Sequence, residues 1–279
     1  MTHPKKLQNR SFLRSLDYRR VLSSFPIWRG PSEIDGAPMV CAISNMTTNC
    51  DNDKIAEDGS DEMVQVWYLR EDIPPQDVFK QKIGSACGDC QHMNDQSCYV
   101  TWFRSPLSVW KAVKEKEILP VNVVQELCRD LVVRLGAGGD PASVPAWVSA
   151  MPLELSKGHL GYTHQWHTLP IYSPLKDICM ASVDSPFQAR LAQDLGWRTF
   201  RSESANGSNW DLGKSELECL ATSRGITCEK CRLCSGVGNN REKVKNIKIA
   251  IHGPKASNYR QDDSKFLELR NLVNKFGGV

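Results

Sequence analysis

The chain has 279 residues, of which 41% are hydrophobic and 24% charged, and its net charge is +3; this composition is ordinary for a globular protein. The absence of any run of about 18 apolar residues excludes a membrane-spanning helix. The basic N-terminal segment lacks the apolar core of a secretory signal. We therefore expect a cytoplasmic protein without membrane association.

The first part of the chain contains two predicted strands. Residues 1–25 are expected to form an irregular or weakly helical extension. Apolar and β-branched residues predict strands at 39–43 and 63–70, which would pair as a hairpin across the polar segment 45–62. Segment 85–100 is polar and rich in turn-forming residues, and is predicted to be a loop.

Downstream of this loop, apolar strands alternate with helices. This alternation favours an α/β fold with a parallel sheet, and five or six such strands suit a partial or open β/α barrel. Helices are predicted at 108–117, 121–130, after Pro145 and at 186–196. A strand that runs into a turn is predicted over 131–140, and further strands at 159–166, 178–185, 197–202 and 245–253.

Polar residues follow several of these strands, at the ends where α/β proteins collect functional groups. They include Gly138, Gly139 and Asp140, then His164, then Ser182, Asp184 and Ser185. Ser185 could instead cap the helix that begins at Pro186. His164 is a candidate general acid or base, because imidazole titrates near neutral pH, or it is a packed histidine.

Eleven cysteines include seven at metal-ligand spacings. An odd count without a secretory signal favours metal ligation over disulfides. The first set, Cys87, Cys90 and Cys98, could hold an iron–sulfur cluster with one open iron, or a zinc ion with His92 as the fourth ligand.

The second cysteine set has the spacing C-x8-C-x2-C-x2-C, and its members are Cys219, Cys228, Cys231 and Cys234. The C-x2-C-x2-C part is frequent in ligands of [4Fe–4S] clusters, while zinc more often uses two separated C-x2-C pairs. Both metals remain candidates. Cys179 lies in an apolar strand and is predicted to be buried packing.

The residues resemble an uncharacterised family encoded by phages, plasmids and integrated elements. The resemblance covers residues 26–253 and rests on motifs in a fixed order: CGDC and CYV, RLGAGGDPASVP, GYTHQW, MASVDS, GWRTFR and TCEKCRLC. It implies a phage or mobile-element metalloprotein in the host cytoplasm, and it implies no particular activity.

The order of motifs is also distantly similar to radical-SAM enzymes. Those proteins have a three-cysteine loop after the first barrel strand and a Gly-Gly-Glu-Pro segment after the second, where this chain has Gly138-Gly139-Asp140-Pro141. The resemblance implies a cluster on Cys87, Cys90 and Cys98 that binds S-adenosylmethionine, with Asp140 facing its methionine part. The second set would hold an auxiliary cluster. The spacing C-x2-C-x7-C departs from the family's C-x3-C-x2-C, and Asp140 replaces its glutamate.

Three further groups complete the prediction. Arg198 could bind a phosphate or carboxylate of a cofactor, or form a structural ion pair. Both ends of the chain are basic, with seven Lys/Arg against one acid in residues 1–29 and nine against four in 241–279. These ends could bind DNA or RNA through phosphates, or be solvated tails.

Two hypotheses follow from the sequence. In one, the protein is an iron–sulfur, radical-SAM-like enzyme that acts on a nucleic acid or a small molecule, with candidate catalytic residues Asp140, His164 and Asp184 and cofactor contacts from Gly138, Gly139, Ser182 and Arg198. In the other, it is a non-catalytic, zinc-stabilised nucleic-acid-binding protein of replication or host takeover. In both, a basic extension (1–25) and a basic tail (254–279) flank an α/β metal-binding domain (26–253).

Overall fold

The computed structural model describes residues 24–45, 63–203, 215–238, 245–251 and 255–276. Nearly all of the predicted N-terminal extension and most of segment 45–62 lie outside the described residues. The described strands are β1 (Phe25–Pro31), β2 (Pro38–Asn45), β3 (Met63–Arg70), β4 (Val132–Gly138), β5 (Gly158–Leu160), β6 (Tyr162–Thr163), β7 (Met180–Val183), β8 (Thr199–Glu203), β9 (Glu216–Glu218) and β10 (Asn246–Ala250). The described α-helices are α1 (Pro75–Lys80), α2 (Gln91–Asn94), α3 (Ser105–Val113), α4 (Val121–Cys128), α5 (Ala146–Ala150), α6 (Leu175–Ile178), α7 (Pro186–Asp194), α8 (Leu220–Arg224), α9 (Cys228–Cys231) and α10 (Leu267–Phe276).

The strands form two five-stranded sheets. The first has the order β1-β2-β3-β4-β5, with antiparallel pairing among β1, β2 and β3 and parallel pairing from β3 to β5. The second has the order β6-β7-β8-β10-β9 and is parallel throughout. The predicted α/β class, the parallel sheet and the hairpin of β2 with β3 are thus confirmed, and the described strands do not close into a barrel.

One predicted strand, 159–166, is wrong in its extent. The structure divides it into β5, which pairs with β4, and β6, which pairs with β7, and a 3₁₀ turn follows at Gln165–His167. Between the two strands, Gly161 donates its backbone N–H to the Cys234 carbonyl at 2.9 Å. A side chain at Gly161 would lie 2.9 Å from the Cys179 sulfur, so this change of partner requires glycine.

The strand β3 lies between two layers of core side chains, which explains why seven of its eight residues are buried. On one face, the Tyr68 hydroxyl shares a 2.8 Å hydrogen bond with Ser149 of α5. On the other face, Trp67 packs in a cluster with Phe79 and Trp102. Packing on both faces fixes the position of the C-terminal end of β3, which precedes the segment with the first cysteines.

Two further predictions concern β7 and its flanks. Cys179, just before β7, is fully buried, as predicted for a packing residue. Ser185, just after it, caps α7: its hydroxyl accepts a 3.0 Å hydrogen bond from the Gln188 backbone N–H. The polar residue at this strand end therefore has a structural role in starting the helix.

The sequence did not predict β1 or β9. Pro26, Gly30 and Pro31 interrupt the first of these, which is an edge strand where proline is tolerated. The second is a three-residue edge strand, too short to show a period. It is attached through a buried ion pair in which Arg201 of β8 donates to both carboxylate oxygens of Glu216.

Candidate metal centre

A cavity of about 240 Å³ opens at the C-terminal ends of the parallel strands, between the two cysteine sets. All seven cysteines predicted as ligands line it: Cys87, Cys90, Cys98, Cys219, Cys228, Cys231 and Cys234. The predicted site residues Gly138, Gly139, Asp140, His164 and Ser182 line the same cavity. The tertiary structure therefore brings together segments that lie more than 100 residues apart.

The first cysteine segment is not the irregular loop that the sequence predicts. It consists of a 3₁₀ turn at Gly84–Ala86, a tight turn and the short helix α2, which begins after Cys90. The turn requires Gly88, which has φ +61° and no room for a β-carbon beside the Gln165 side chain. The Gln165 amide donates to the Cys87 carbonyl at 3.0 Å and so ties this turn to the end of β6.

The end of β4 supports the first cysteine segment from below. Gly139 has φ +83°, and a β-carbon there would lie 2.0 Å from the Tyr68 carbonyl oxygen. Strand β3 and the end of β4 therefore approach each other so closely that only glycine fits at this position. The next residue, Asp140, donates its backbone N–H to the Ala86 carbonyl at 2.7 Å. This bond fixes the residue that precedes Cys87.

The carboxylate of Asp140 is buried and accepts three hydrogen bonds. Oδ1 accepts from the Ala142 backbone N–H at 2.9 Å and the Thr163 hydroxyl at 2.7 Å, and Oδ2 accepts from the His164 backbone N–H at 2.7 Å. Burial raises the pKa of Asp140 above its ordinary value, although His164 and these hydrogen bonds act in the opposite direction. A carboxylate offers about four acceptor positions, so these three hydrogen bonds leave one further position.

The second cysteine set is held by backbone hydrogen bonds to the second sheet. The Cys219 backbone N–H donates to the Lys248 carbonyl at 2.8 Å, and Cys228 and Cys231 lie on α9. Arg198, predicted as a cofactor contact, donates to the Leu233 and Lys245 carbonyls at 3.0 and 2.8 Å and also to the Ser235 carbonyl. Its guanidinium thus anchors the backbone that follows the last helix of this set.

The spacing of the sulfur atoms distinguishes between the kinds of metal site. Four Zn–S bonds of about 2.3 Å place the sulfurs about 3.8 Å apart, whereas a cubane cluster separates them more widely because each sulfur binds a different iron. Among the described residues, a single group of three His, Cys, Asp or Glu side chains has ligand atoms within 4.8 Å of one another, and it contains no cysteine. Within either cysteine set, therefore, no three sulfurs of the described chain all lie within 4.8 Å of one another.

Burial keeps the thiols of Cys90, Cys98 and Cys234 protonated unless a cation is bound. It raises the pKa of Cys90 to about 11 and the pKa of Cys98 and Cys234 to about 12. A buried thiolate requires a neighbouring positive charge, which a metal ion or cluster supplies. The donor set therefore fits a thiolate-bound metal.

A second polar cluster lies at the edge of the same cavity, and the sequence did not predict it. The His92 Nε2 lies 3.1 Å from Asp184 Oδ1, and its Nδ1 lies 2.7 Å from the Ser97 hydroxyl. Although burial alone would raise it, the hydrogen bond and charge of His92 hold the pKa of Asp184 below its ordinary value. The sequence predicts His92 as a possible fourth ligand beside three cysteines; in the structure its ring lies next to Asp184 and His164.

Part of the segment predicted as a basic tail contacts the first cysteine segment. Lys265 donates to the Asp89 carbonyl and carboxylate at 2.9 Å each. Phe266 stacks on Trp166 with ring centroids 5.3 Å apart, and the Tyr259 hydroxyl donates to the Asp184 carbonyl at 3.0 Å. These contacts cover the side of the site that faces away from the cavity.

Comparison with protein-family models, with curated proteins and with solved structures gave no match. Within the described ranges, no helix is both long and apolar enough to cross a membrane. The function must therefore be argued from the site itself.

Proposed function

We propose that this protein is an iron–sulfur enzyme of the radical-SAM type, with its reactive cluster on Cys87, Cys90 and Cys98. The observation that carries the proposal is that both cysteine sets and Asp140 line one cavity at the C-terminal ends of parallel strands. Active sites of β/α barrels lie at this end. A zinc ion that only stabilises a loop has four closed ligands and needs no adjoining cavity.

The order of elements supports the proposal. Six segments, β3, β4, β5 with β6, β7, β8 and β10, follow one another in space through parallel pairs, apart from the change of partner at Gly161. The three cysteines follow the first of these strands and the Gly-Gly-Asp segment follows the second. This is the arrangement that the resemblance to radical-SAM enzymes implies for a partial barrel.

Each proposed cofactor would be held by a different group of side chains. A [4Fe–4S] cluster with one open iron would bind S-adenosylmethionine and supply an electron for its reductive cleavage. Asp140 would offer its remaining acceptor position to the amino group of the bound molecule. The set of Cys219, Cys228, Cys231 and Cys234 would ligate an auxiliary cluster on the opposite wall.

The side chains that line the cavity between the two cysteine sets indicate which chemical groups a substrate could carry. Tyr162 and Phe200 lie in contact, with ring centroids 4.6 Å apart, and Arg134 donates to the Tyr99 hydroxyl at 2.7 Å at the cavity wall. Aromatic faces and a guanidinium suit a planar or anionic group.

The test is metal analysis of the full chain purified without oxygen. We expect a brown protein with iron and sulfide for two clusters, and deoxyadenosine release when it is reduced in the presence of S-adenosylmethionine. Cys90→Ala should lose about half of the iron and all deoxyadenosine release, and Cys228→Ala about half of the iron. Cys128→Ala, a buried cysteine outside both sets, is the matched control and should retain all of it.

Two other results would contradict the radical-SAM proposal. A colourless protein with stoichiometric zinc would overturn the proposal and support the zinc-stabilised nucleic-acid-binding protein instead. Iron–sulfur clusters without deoxyadenosine release would limit the conclusion to an iron–sulfur protein and would overturn the radical-SAM assignment.

A further inference from the structure

Three side chains at the edge of the cysteine cavity have ligand atoms that all lie within 4.8 Å of one another: those of His92, His164 and Asp184. They come from three separate elements, namely α2, the turn after β6 and the residue that follows β7. The two imidazole rings are 5.7 Å apart and nearly perpendicular. Asp184 is buried, and the two histidines are half-buried.

The packing leaves one ring nitrogen unsatisfied. His164 Nε2 is buried and has no hydrogen-bond partner among the described residues, which costs free energy in a folded protein. A small void of about 10 Å³ adjoins His164 and Asp184; Lys265 is also on its wall, and His92 lies outside its lining.

The His92 ring is oriented by a further hydrogen bond, as metal-ligating histidines are. Ser97 bonds the Nδ1 of His92 at 2.7 Å and is itself held by Asp95, which accepts its backbone N–H at 2.9 Å. The backbone N–H of Asp184 donates to the Gln188 side chain at 3.0 Å. The first bond holds the side chain of His92, and the second holds the backbone at Asp184.

We propose that His92, His164 and Asp184 bind one divalent transition-metal ion, separate from the metal of the cysteines. Two imidazoles and one carboxylate form the ligand set typical of mononuclear sites that keep open positions for water or substrate. His92 and His164 also line the large cavity, so an ion here adjoins any substrate bound there. The ion replaces the proton between His92 and Asp184 and occupies the free nitrogen of His164.

This site does not depend on the proposed radical-SAM function, because none of its ligands is a cysteine. The probe is therefore Mn²⁺, which prefers carboxylate and imidazole over thiolate. Titration of the full chain with Mn²⁺, followed by the electron paramagnetic resonance signal of the free ion, should show one bound ion per chain. The iron content, measured on the same samples, reports on the cysteine sites separately.

His164→Gln and Asp184→Asn should each weaken Mn²⁺ binding by about tenfold or more without loss of iron. Ser97→Ala retains all three ligands and should also weaken Mn²⁺ binding by about tenfold. Because this variant removes no ligand, it tests the site even if a ligand variant fails to fold. His159→Gln, a half-buried histidine outside the group, is the matched control and should bind normally. Absence of Mn²⁺ binding to the unaltered chain, or equal binding by the chain and all three variants, would overturn the proposal.

Discussion

The backbone N–H of Asp140 donates a 2.7 Å hydrogen bond to the carbonyl of Ala86, directly before Cys87. Through this bond, the end of β4 determines the position of the first cysteine set over the cavity. It is possible only because the preceding residue, Gly139, lets β4 approach the Tyr68 carbonyl.

Gly139→Ala should therefore destabilise the fold and release the metal of the first set. The new β-carbon would lie 2.0 Å from the Tyr68 oxygen, in addition to the strain of a positive φ. Gly36→Ala is a matched control: Gly36 has φ +76° but nothing within 4 Å of the added carbon. The control should lower the free energy of unfolding by about 1–2 kcal/mol. Gly139→Ala should lower it by about 1–3 kcal/mol more, measured by urea unfolding. Equal losses would contradict the close approach of β4 to β3.

The buried pair of Arg201 and Glu216 should be destabilised strongly by loss of one partner. Arg201→Met leaves a buried carboxylate unpaired and should reduce the free energy of unfolding by about 3–5 kcal/mol. The double variant Arg201→Met, Glu216→Leu removes both charges and should recover much of this loss. The exposed pair of Arg129 and Glu126 is the control, and Arg129→Met should have little effect. If the double variant had the same free energy of unfolding as Arg201→Met, the unpaired carboxylate of Glu216 would not be the cause of the loss.

Arg198→Lys should reduce the metal content of the second cysteine set and not that of the first. A lysine cannot donate to three carbonyls in the planar arrangement that the guanidinium provides. With the proposed clusters, we expect loss of about half of the iron, measured per chain, while the deoxyadenosine release proposed for the first set is retained. Arg190→Lys on the exposed side of α7 is the control and should keep all of the iron. Iron loss from both sets would indicate a general effect on folding.

The burial of His159 should make stability depend on pH. Burial lowers the pKa of His159 below its ordinary value of 6.5, although a hydrogen bond to the Ile178 carbonyl acts in the opposite direction. Below about pH 6.5 the unfolded chain binds a proton that the folded chain does not, so stability falls as pH falls. Between about pH 7 and pH 5, the unaltered chain should lose more stability than His159→Gln in denaturant titrations. Parallel curves for the two proteins would show that His159 contributes nothing.

Much of the fold was predictable because local patterns report local structure. Apolar runs in β3, β4 and β7 and the strand-to-helix order after residue 121 indicated a parallel sheet, which the structure confirms. The break at Gly161 was not predictable, since it depends on two different partner strands. The edge strand β9 was missed because three residues do not show a period.

The amino-acid sequence was enough to identify the side chains that can ligate metal, their spacing along the chain and the α/β class of the fold. The folded chain was needed to show that the two cysteine sets face one cavity, and that His92 meets Asp184, which lies 92 positions later. Sequence patterns report the burial and backbone conformation of each residue. Contacts between distant residues depend instead on strand order, register and the packing of both sheets, which arise from the whole chain at once.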